Sequence, residues 1–288
     1  MGAALLLLAA LAALAPTAAS SASATAPPPF DLALGGSGSV GFQPTWGHTH
    51  GQPTDSGYAD DLAAHEASRW PGLTLVQIGC PGMTTQTMIS GGGHCAYEAG
   101  SQLATALSFL HTHPSTVLVT VDLGFNDLVP CLHHVEVKTD CVDSALATVQ
   151  SQLPQILSAL RSAAPAGTHM IGVGHYDPYL GDAMHGPAGE AFAQASLGVI
   201  VRLNDVLRAA YTQAGMPMAN VGAAFQLHDA SPIDVPGLGT VPTDVARVCA
   251  LTWMCAAPPL GPNTHPNDNG YRVASNAIAA ALTPITSR

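Results

Sequence analysis

Four short segments of the 288-residue chain hold side chains that together suit acyl transfer. Ser37 lies in Gly35-Gly36-Ser37-Gly38-Ser39, where neighbours without bulk leave its hydroxyl open to a substrate carbonyl. A serine hydroxyl is a poor nucleophile near neutral pH unless a base takes its proton, and His265, in Asn263-Thr264-His265-Pro266, is the candidate base. Charge that develops on the carbonyl oxygen needs fixed donors. Gly79-Cys80-Pro81-Gly82 and Gly124-Phe125-Asn126-Asp127 offer two, the backbone N–H of Gly82 and the side-chain amide of Asn126. Singly, each residue has a plainer reading: a turn serine, a turn glycine, a cap or turn asparagine, a helix-entry histidine. They gain meaning only if the fold brings them to one rim.

The chain alternates short apolar runs with longer stretches of helical period, the pattern of an α/β sheet with crossover helices. Strands are predicted over residues 30–34, 73–78, 116–123 and 170–173 and near 219–221. Helices are predicted over 58–70, around Leu103, Leu107 and Leu110, over 192–211, and from about 268 to 282. Val142, Ala145, Leu146, Val149, Leu153, Ile156, Leu157 and Leu160 keep a 3–4 spacing that specifies one long amphipathic helix. Residues 222–262 show little periodicity and read as a long, partly disulfide-tied excursion near the active face. There is no internal repeat and no linker, so residues 25–288 are expected to form one domain. In such sheets ligands bind beyond the carboxyl ends of the strands. Ser37, Gly82 and Asn126 each follow a predicted strand, and His265 opens the last helix. Asp127 reads as structural, while Tyr176 and Asp177, after the fourth strand, are candidates to line the pocket.

Other chemistries fit less well. Gly36-Ser37-Gly38-Ser39-Val40-Gly41 matches the GxGxxG spacing of dinucleotide-binding loops. Phe42-Gln43-Pro44 follows it in place of a helix, however, and the second strand ends in Gly79-Cys80 without the acid that would hold a ribose. A dinucleotide-binding oxidoreductase is therefore the weaker alternative. No GK[ST] closes the loop around a phosphate, and position 39 is Ser where the GxSxG nucleophile elbow needs Gly. His48 and His50, like His133, His134, His175 and His185, read as polar loop residues; without CxxC or HExxH spacing neither metal nor cofactor is expected. A net charge of −11 with 8 Lys and Arg leaves no basic surface for nucleic acid or an anionic membrane. The expected partner is a small-molecule or lipid ester.

From Ala3 to Ala15 every residue is Ala or Leu, and Ala22-Ser23-Ala24 follows as a small-residue cleavage pattern. That run is too short to span a bilayer and reads as a secretory signal peptide over residues 1–24. With no Cys beside it to take a lipid, a soluble exported protein is expected. In an oxidising compartment an even number of cysteines usually means disulfides. The six here fall into three local couples, Cys80 with Cys95, Cys131 with Cys141 and Cys249 with Cys255, each in a stretch that reads as loop.

Taken in order, Ala33-Leu34-Gly35-Gly36-Ser37, Gly79-Cys80-Pro81-Gly82-Met83-Thr84-Thr85, Gly124-Phe125-Asn126-Asp127 and His265-Pro266-Asn267 with Gly270-Tyr271 resemble the four blocks of the SGNH (GDSL-type) hydrolases. The likeness runs over nearly the whole mature chain. It is closest to the exported actinobacterial esterase-like branch, where local cysteine pairs and a phrase similar to Asp177-Pro178-Tyr179-Leu180-Gly181 recur. The resemblance implies a flavodoxin-like three-layer α/β/α fold with a parallel five-stranded sheet, and ester hydrolysis through an acyl-serine. It further implies Ser37 as nucleophile, His265 as base, and an oxyanion hole made by the N–H groups of Ser37 and Gly82 with the Asn126 amide.

Two positions depart from the family pattern. The phrase GDS reads Gly35-Gly36-Ser37, which removes a local support of the nucleophile loop. The acid usually found three residues before the histidine is replaced by Pro262, with Asn263 beside it, and neither is a carboxylate. In serine hydrolases that acid holds the imidazole tautomer and stabilises the imidazolium. A backbone carbonyl from residues 251–261 is the expected substitute in a Ser-His dyad, with Asp229 or Asp244 the carboxylates that would restore a triad. A non-catalytic exported binding protein that kept the fold after losing its acid is the alternative.

Overall fold

The computed structural model describes residues 27–133 and 136–282; the expected leader, residues 1–24, and His134 lie outside the described residues. Strands β1 (Phe30–Gly35), β2 (Thr74–Gln77), β3 (Thr116–Asp122), β4 (His169–Val173) and β5 (Met218–Ala219) form one sheet. Its order is β2-β1-β3-β4-β5, with every neighbouring pair parallel. This is the flavodoxin-like order. Its topological switch lies between β1 and β3, so the crevice beyond their carboxyl ends is where a ligand belongs.

Seven helices of six residues or more are used below: α1 (Tyr58–Glu66), α2 (Thr85–Ser90), α3 (Gln102–Thr112), α4 (Thr139–Ala163), α5 (Pro187–Gln213), α6 (Thr243–Leu251) and α7 (Asp268–Leu282). Strand side chains alternate between faces, and the two faces feed two cores. Leu32, Leu34, Val119 and Val121 pack with Leu110 of α3, Val149, Leu153 and Ile156 of α4, and Leu203 and Leu207 of α5. Ala33, Leu118 and Ile171 pack on the other face with Leu62 of α1 and Tyr271, Ala274 and Ile278 of α7. Fully burying side chains of this kind contributes about 1.5–3 kcal/mol each, so the three layers hold the strand ends in fixed register.

Three sequence expectations change. Residues 222–262 contain an antiparallel hairpin, Pro232–Val235 with Gly239–Pro242, and α6, whose Val245, Val248 and Leu251 are buried. Two turns carry too few apolar positions to announce a period. Cys249 therefore sits in α6 and Cys141 in α4 rather than in loops, while the disulfides join Cys80–Cys95, Cys131–Cys141 and Cys249–Cys255. His48 and His50 lie on an unexpected hairpin, Gln43–Thr45 with His48–Gln52, beside the nucleophile loop.

Candidate active site

β1 leaves the sheet through a turn that demands glycine. Gly35 has φ +119°, and a Cβ there would overlap the carbonyl oxygen of Asp122 at the end of β3. The next N–H, of Gly36, donates to that same carbonyl at 2.9 Å. Gln102 of α3 clamps the turn: its Oε1 accepts the Gly35 N–H at 2.8 Å and its Nε2 donates to the Gly35 carbonyl at 3.1 Å. These bonds hold the loop where the family's aspartate is missing. Ser37 then opens a short 3-10 turn, Ser37–Val40.

His265 Nε2 lies 2.8 Å from Ser37 Oγ across a sequence separation of 228. On the other side of the ring, Nδ1 lies 2.7 Å from Asn263 Oδ1, which also accepts the His265 backbone N–H at 3.0 Å. A backbone N–H can only donate, so the atom it faces is the amide oxygen. Nδ1 must then carry the proton, and Nε2 is left as the acceptor for the serine hydroxyl. This corrects the expectation of a backbone carbonyl from residues 251–261, and neither Asp229 nor Asp244 takes its place. Asp229 bonds Ser231, and Asp244 accepts the Val245 N–H at the start of α6. The physical reason is an Asx-turn, in which an asparagine side chain folds back on the N–H two residues ahead. Trp253 fixes that turn by donating its N–H to the His265 carbonyl at 3.0 Å and accepting the Asn263 N–H at 3.1 Å. Tyr176 adds a 2.7 Å bond from its hydroxyl to the Thr264 carbonyl. The Phe42 ring lies 4.9 Å from the imidazole, and burial pushes His265 down to about 4.

Gly82 has φ +78°, a left-handed conformation that glycine adopts without strain. Among the described residues the N–H groups of Ser37 and Gly82 donate to no protein acceptor. Asn126 Nδ2 donates to the Met83 carbonyl at 3.1 Å and faces Gly36, where a Cβ would stand 2.9 Å from it. Asp127 ties the two donor segments together, accepting the Thr85 N–H at 3.0 Å and the Thr85 hydroxyl at 2.7 Å at the start of α2. Burial pushes its carboxyl up, and the Thr85 bonds partly offset that.

Ser37, Gly82, Asn126 and His265 thus line one cleft of about 360 Å³. Tyr176 lines it too; Asp177 does not, being buried against the Ser196 hydroxyl (2.8 Å) and the Tyr179 N–H (3.0 Å). His175, expected in a polar loop, is buried on the cleft wall with Nε2 3.0 Å from the Leu123 carbonyl. Tyr271, from the fourth block, also lines the cleft, as do Tyr58 and Asp122, which no motif marks. Among the described residues no group of His, Cys, Asp and Glu is placed to hold a metal ion.

The profile of the GDSL-like lipase/acylhydrolase family matches residues 33–273. The chain belongs to the GDSL-like lipase/acylhydrolase family. As a GDSL-like serine ester hydrolase it shares its fold with solved esterases and lipases. An extracellular lipase from Streptomyces rimosus is similar over 88% of this chain and 100% of its own, with TM-score 0.60 and 18% identity. A phospholipase A1 from Streptomyces albidoflavus NA297 is similar over 90% and 99%, with TM-score 0.57 and 20% identity. A catalytic mutant of an acetylxylan esterase from Geobacillus stearothermophilus is similar over 88% and 94%, with TM-score 0.52 and 12% identity. No curated protein matches the chain.

Proposed function

We propose that this GDSL-like hydrolase is an exported serine esterase that hydrolyses carboxylic esters, of short acyl groups or of lipids, through an acyl group carried on Ser37. One observation carries the reading: the hydrogen-bonded series Ser37 Oγ, His265 Nε2, His265 Nδ1 and Asn263 Oδ1, with contacts of 2.8 and 2.7 Å. The Ser37 oxygen attacks the ester carbonyl as its proton passes to Nε2. The oxyanion is met by the N–H groups of Ser37 and Gly82 and by Asn126 Nδ2. The imidazolium returns the proton to the departing alcohol, leaving an acyl-serine. Water then gives its proton to Nε2 and attacks the acyl carbon, and the acid leaves with Ser37 reprotonated. Asn263 fixes the tautomer as an acid would, but it meets the imidazolium with a dipole rather than a full charge. A histidine held down near 4 is neutral at pH 7 and so ready as a base.

Export is supported by three disulfides, which persist in oxidising compartments, and by the leader read at residues 1–24. No described helix is long and apolar enough to cross a membrane. The test is Ser37→Ala. It abolishes hydrolysis of p-nitrophenyl acyl esters and labelling by a fluorophosphonate while leaving the thermal melt nearly unchanged. Full turnover in that variant overturns the assignment, and a wild-type chain inert to a panel of acyl lengths and to the label is a binding protein instead.

A further inference from the structure

Gln43, on the first strand of the hairpin over residues 43–52, is 4% exposed and does not line the cleft, yet its amide is bonded on both sides. Its Oε1 accepts the Trp253 indole N–H at 3.0 Å, and its Nε2 donates to Asp268 Oδ1 at 2.7 Å and to Thr54 Oγ1 at 3.3 Å. Trp253 and Asp268 bracket the histidine loop. The Trp253 backbone bonds the His265 carbonyl and the Asn263 N–H, and Asp268 is the first residue of α7, just past His265. One side chain therefore pins that loop at both ends. The hairpin is fastened in turn to the nucleophile segment. Phe42 donates its N–H to the Ser37 carbonyl at 3.1 Å and accepts the Tyr271 hydroxyl on its own carbonyl at 2.6 Å, while the Thr54 hydroxyl donates to the Gly41 carbonyl at 2.6 Å. On the second strand the His50 carbonyl faces Asn263 Nδ2 at 3.5 Å.

The chemistry of the partners dictates an amide at position 43. An indole N–H can only donate and a carboxylate can only accept, so the side chain between them must accept on one side and donate on the other. Glutamine does both. A carboxylate there would meet Trp253 but face Asp268 with a like charge, and an ammonium or guanidinium would meet Asp268 but leave the Trp253 N–H without an acceptor. A donor shielded from water and left unmet is costly, so loss of the amide releases Trp253 from its place. Trp253 then no longer fixes the Asn263 turn, and the 2.8 Å contact between His265 Nε2 and Ser37 Oγ loosens. A misplacement of about 1 Å at such a contact costs about 100-fold in rate.

We propose that Gln43 is the positioning residue that locks the His265 loop onto the nucleophile segment and so sets the reach of His265 Nε2 to Ser37. This assignment rests on the esterase reading above. The experiment uses Gln43→Glu, Gln43→Met, and Gln43→Glu combined with Asp268→Asn. Each is assayed on p-nitrophenyl butyrate from about pH 5 to about pH 8, well below its own melting temperature at that pH, so lost folding does not enter. kcat is read as a ratio to the wild type at the same pH, so titrations shared with the wild type cancel. The carboxyl that Gln43→Glu introduces is buried and faces Asp268, and both effects raise its pKa. Protonated, it accepts from Trp253 and donates to Asp268 as the amide does. The ratio is therefore expected to lie near one at about pH 5 and to fall about tenfold or more by about pH 8, with KM unchanged because Gln43 does not line the cleft. Asp268→Asn supplies a donor to the ionised carboxylate, and the double variant is expected to regain the wild-type kcat to within about threefold at about pH 8. Gln43→Met makes neither bond and is expected to lose about 10–100-fold in kcat at every pH. A Gln43→Glu ratio that stays level with pH, a double variant no faster than the single one, or a wild-type kcat in Gln43→Met overturns the assignment, while wild-type turnover keeps the esterase reading intact. Where Gln43→Glu does not fold, Gln43→Met decides alone. A wild type inert to the ester overturns both.

Discussion

Replacing Asn263 by aspartate places a full negative charge where the structure has an amide oxygen, 2.7 Å from His265 Nδ1. With the charge centres about 4 Å apart and an effective dielectric near 20, the attraction to an imidazolium is about 4 kcal/mol, or about 3 pKa units. Desolvation of the new carboxylate takes back part of this, and an opposite charge at such range typically shifts a pKa by about 1–3 units. His265 starts at about 4 because burial disfavours its charged form. Asn263→Asp therefore moves the acid limb of the kcat/KM profile up by about 1–3 pH units, since a base with a raised pKa stays protonated, and inactive, to higher pH. On the alkaline plateau the same charge favours the imidazolium of the transition state, so kcat rises about tenfold or more. The assay is a profile from pH 3 to 9 on a p-nitrophenyl ester in buffers of constant ionic strength. An acid limb and plateau that both stay in place refute the claim that Asn263 is the Nδ1 partner during turnover.

Asp127→Ala frees the Thr85 N–H and hydroxyl and loosens Asn126 relative to Gly82; kcat is expected to fall about 10–100-fold with little change in KM, and an unaltered kcat contradicts this. Asp31 of β1 is fully buried with neither carboxyl oxygen partnered among the described residues, and burial, followed by the charge of Glu66, pushes it up to about 8. A raised carboxyl contributes stability that is full below about pH 4 and is lost as pH climbs to about 8, on the order of 5 kcal/mol. Asp31→Asn, uncharged throughout, should flatten the fall in melting temperature over that interval; an undiminished slope shows that another group sets it. Removing the Cys80–Cys95 bridge, which spans 15 residues, by paired alanine substitution should cost about 3 kcal/mol in chemical denaturation, and an unchanged midpoint contradicts its structural role.

The parts of the fold that follow a simple period are readable in the chain. α4 is one such case, because its apolar positions recur every three or four residues for the length of the helix. The strand ends are another, since Gly35, Gly82 and Gly124 sit where the backbone takes positive φ. α6 and the hairpin over residues 43–52 are too short or too polar to show a period. Asn263 stands out in the chain only as a residue that is not a carboxylate, because its role depends on a side chain folding back over one turn, a geometry that residue type alone does not reveal. Asp122, Tyr58 and His175 come from β3, α1 and the segment after β4, and only the packing of the helices on the sheet brings them to the cleft that holds Ser37. Their grouping is a property of packing, which no local pattern records.

The proposed hydrolysis passes through a covalent acyl group at Ser37. Rapid acid quench during steady-state turnover of a slow ester, followed by peptide mass mapping, measures it directly. The expected result is one acyl mass on the peptide that contains Ser37, absent from Ser37→Ala and longer-lived in His265→Ala if any forms there. Undiminished turnover with the acyl mass on another residue, or with no acyl mass at all under conditions that trap a control serine esterase, contradicts the account.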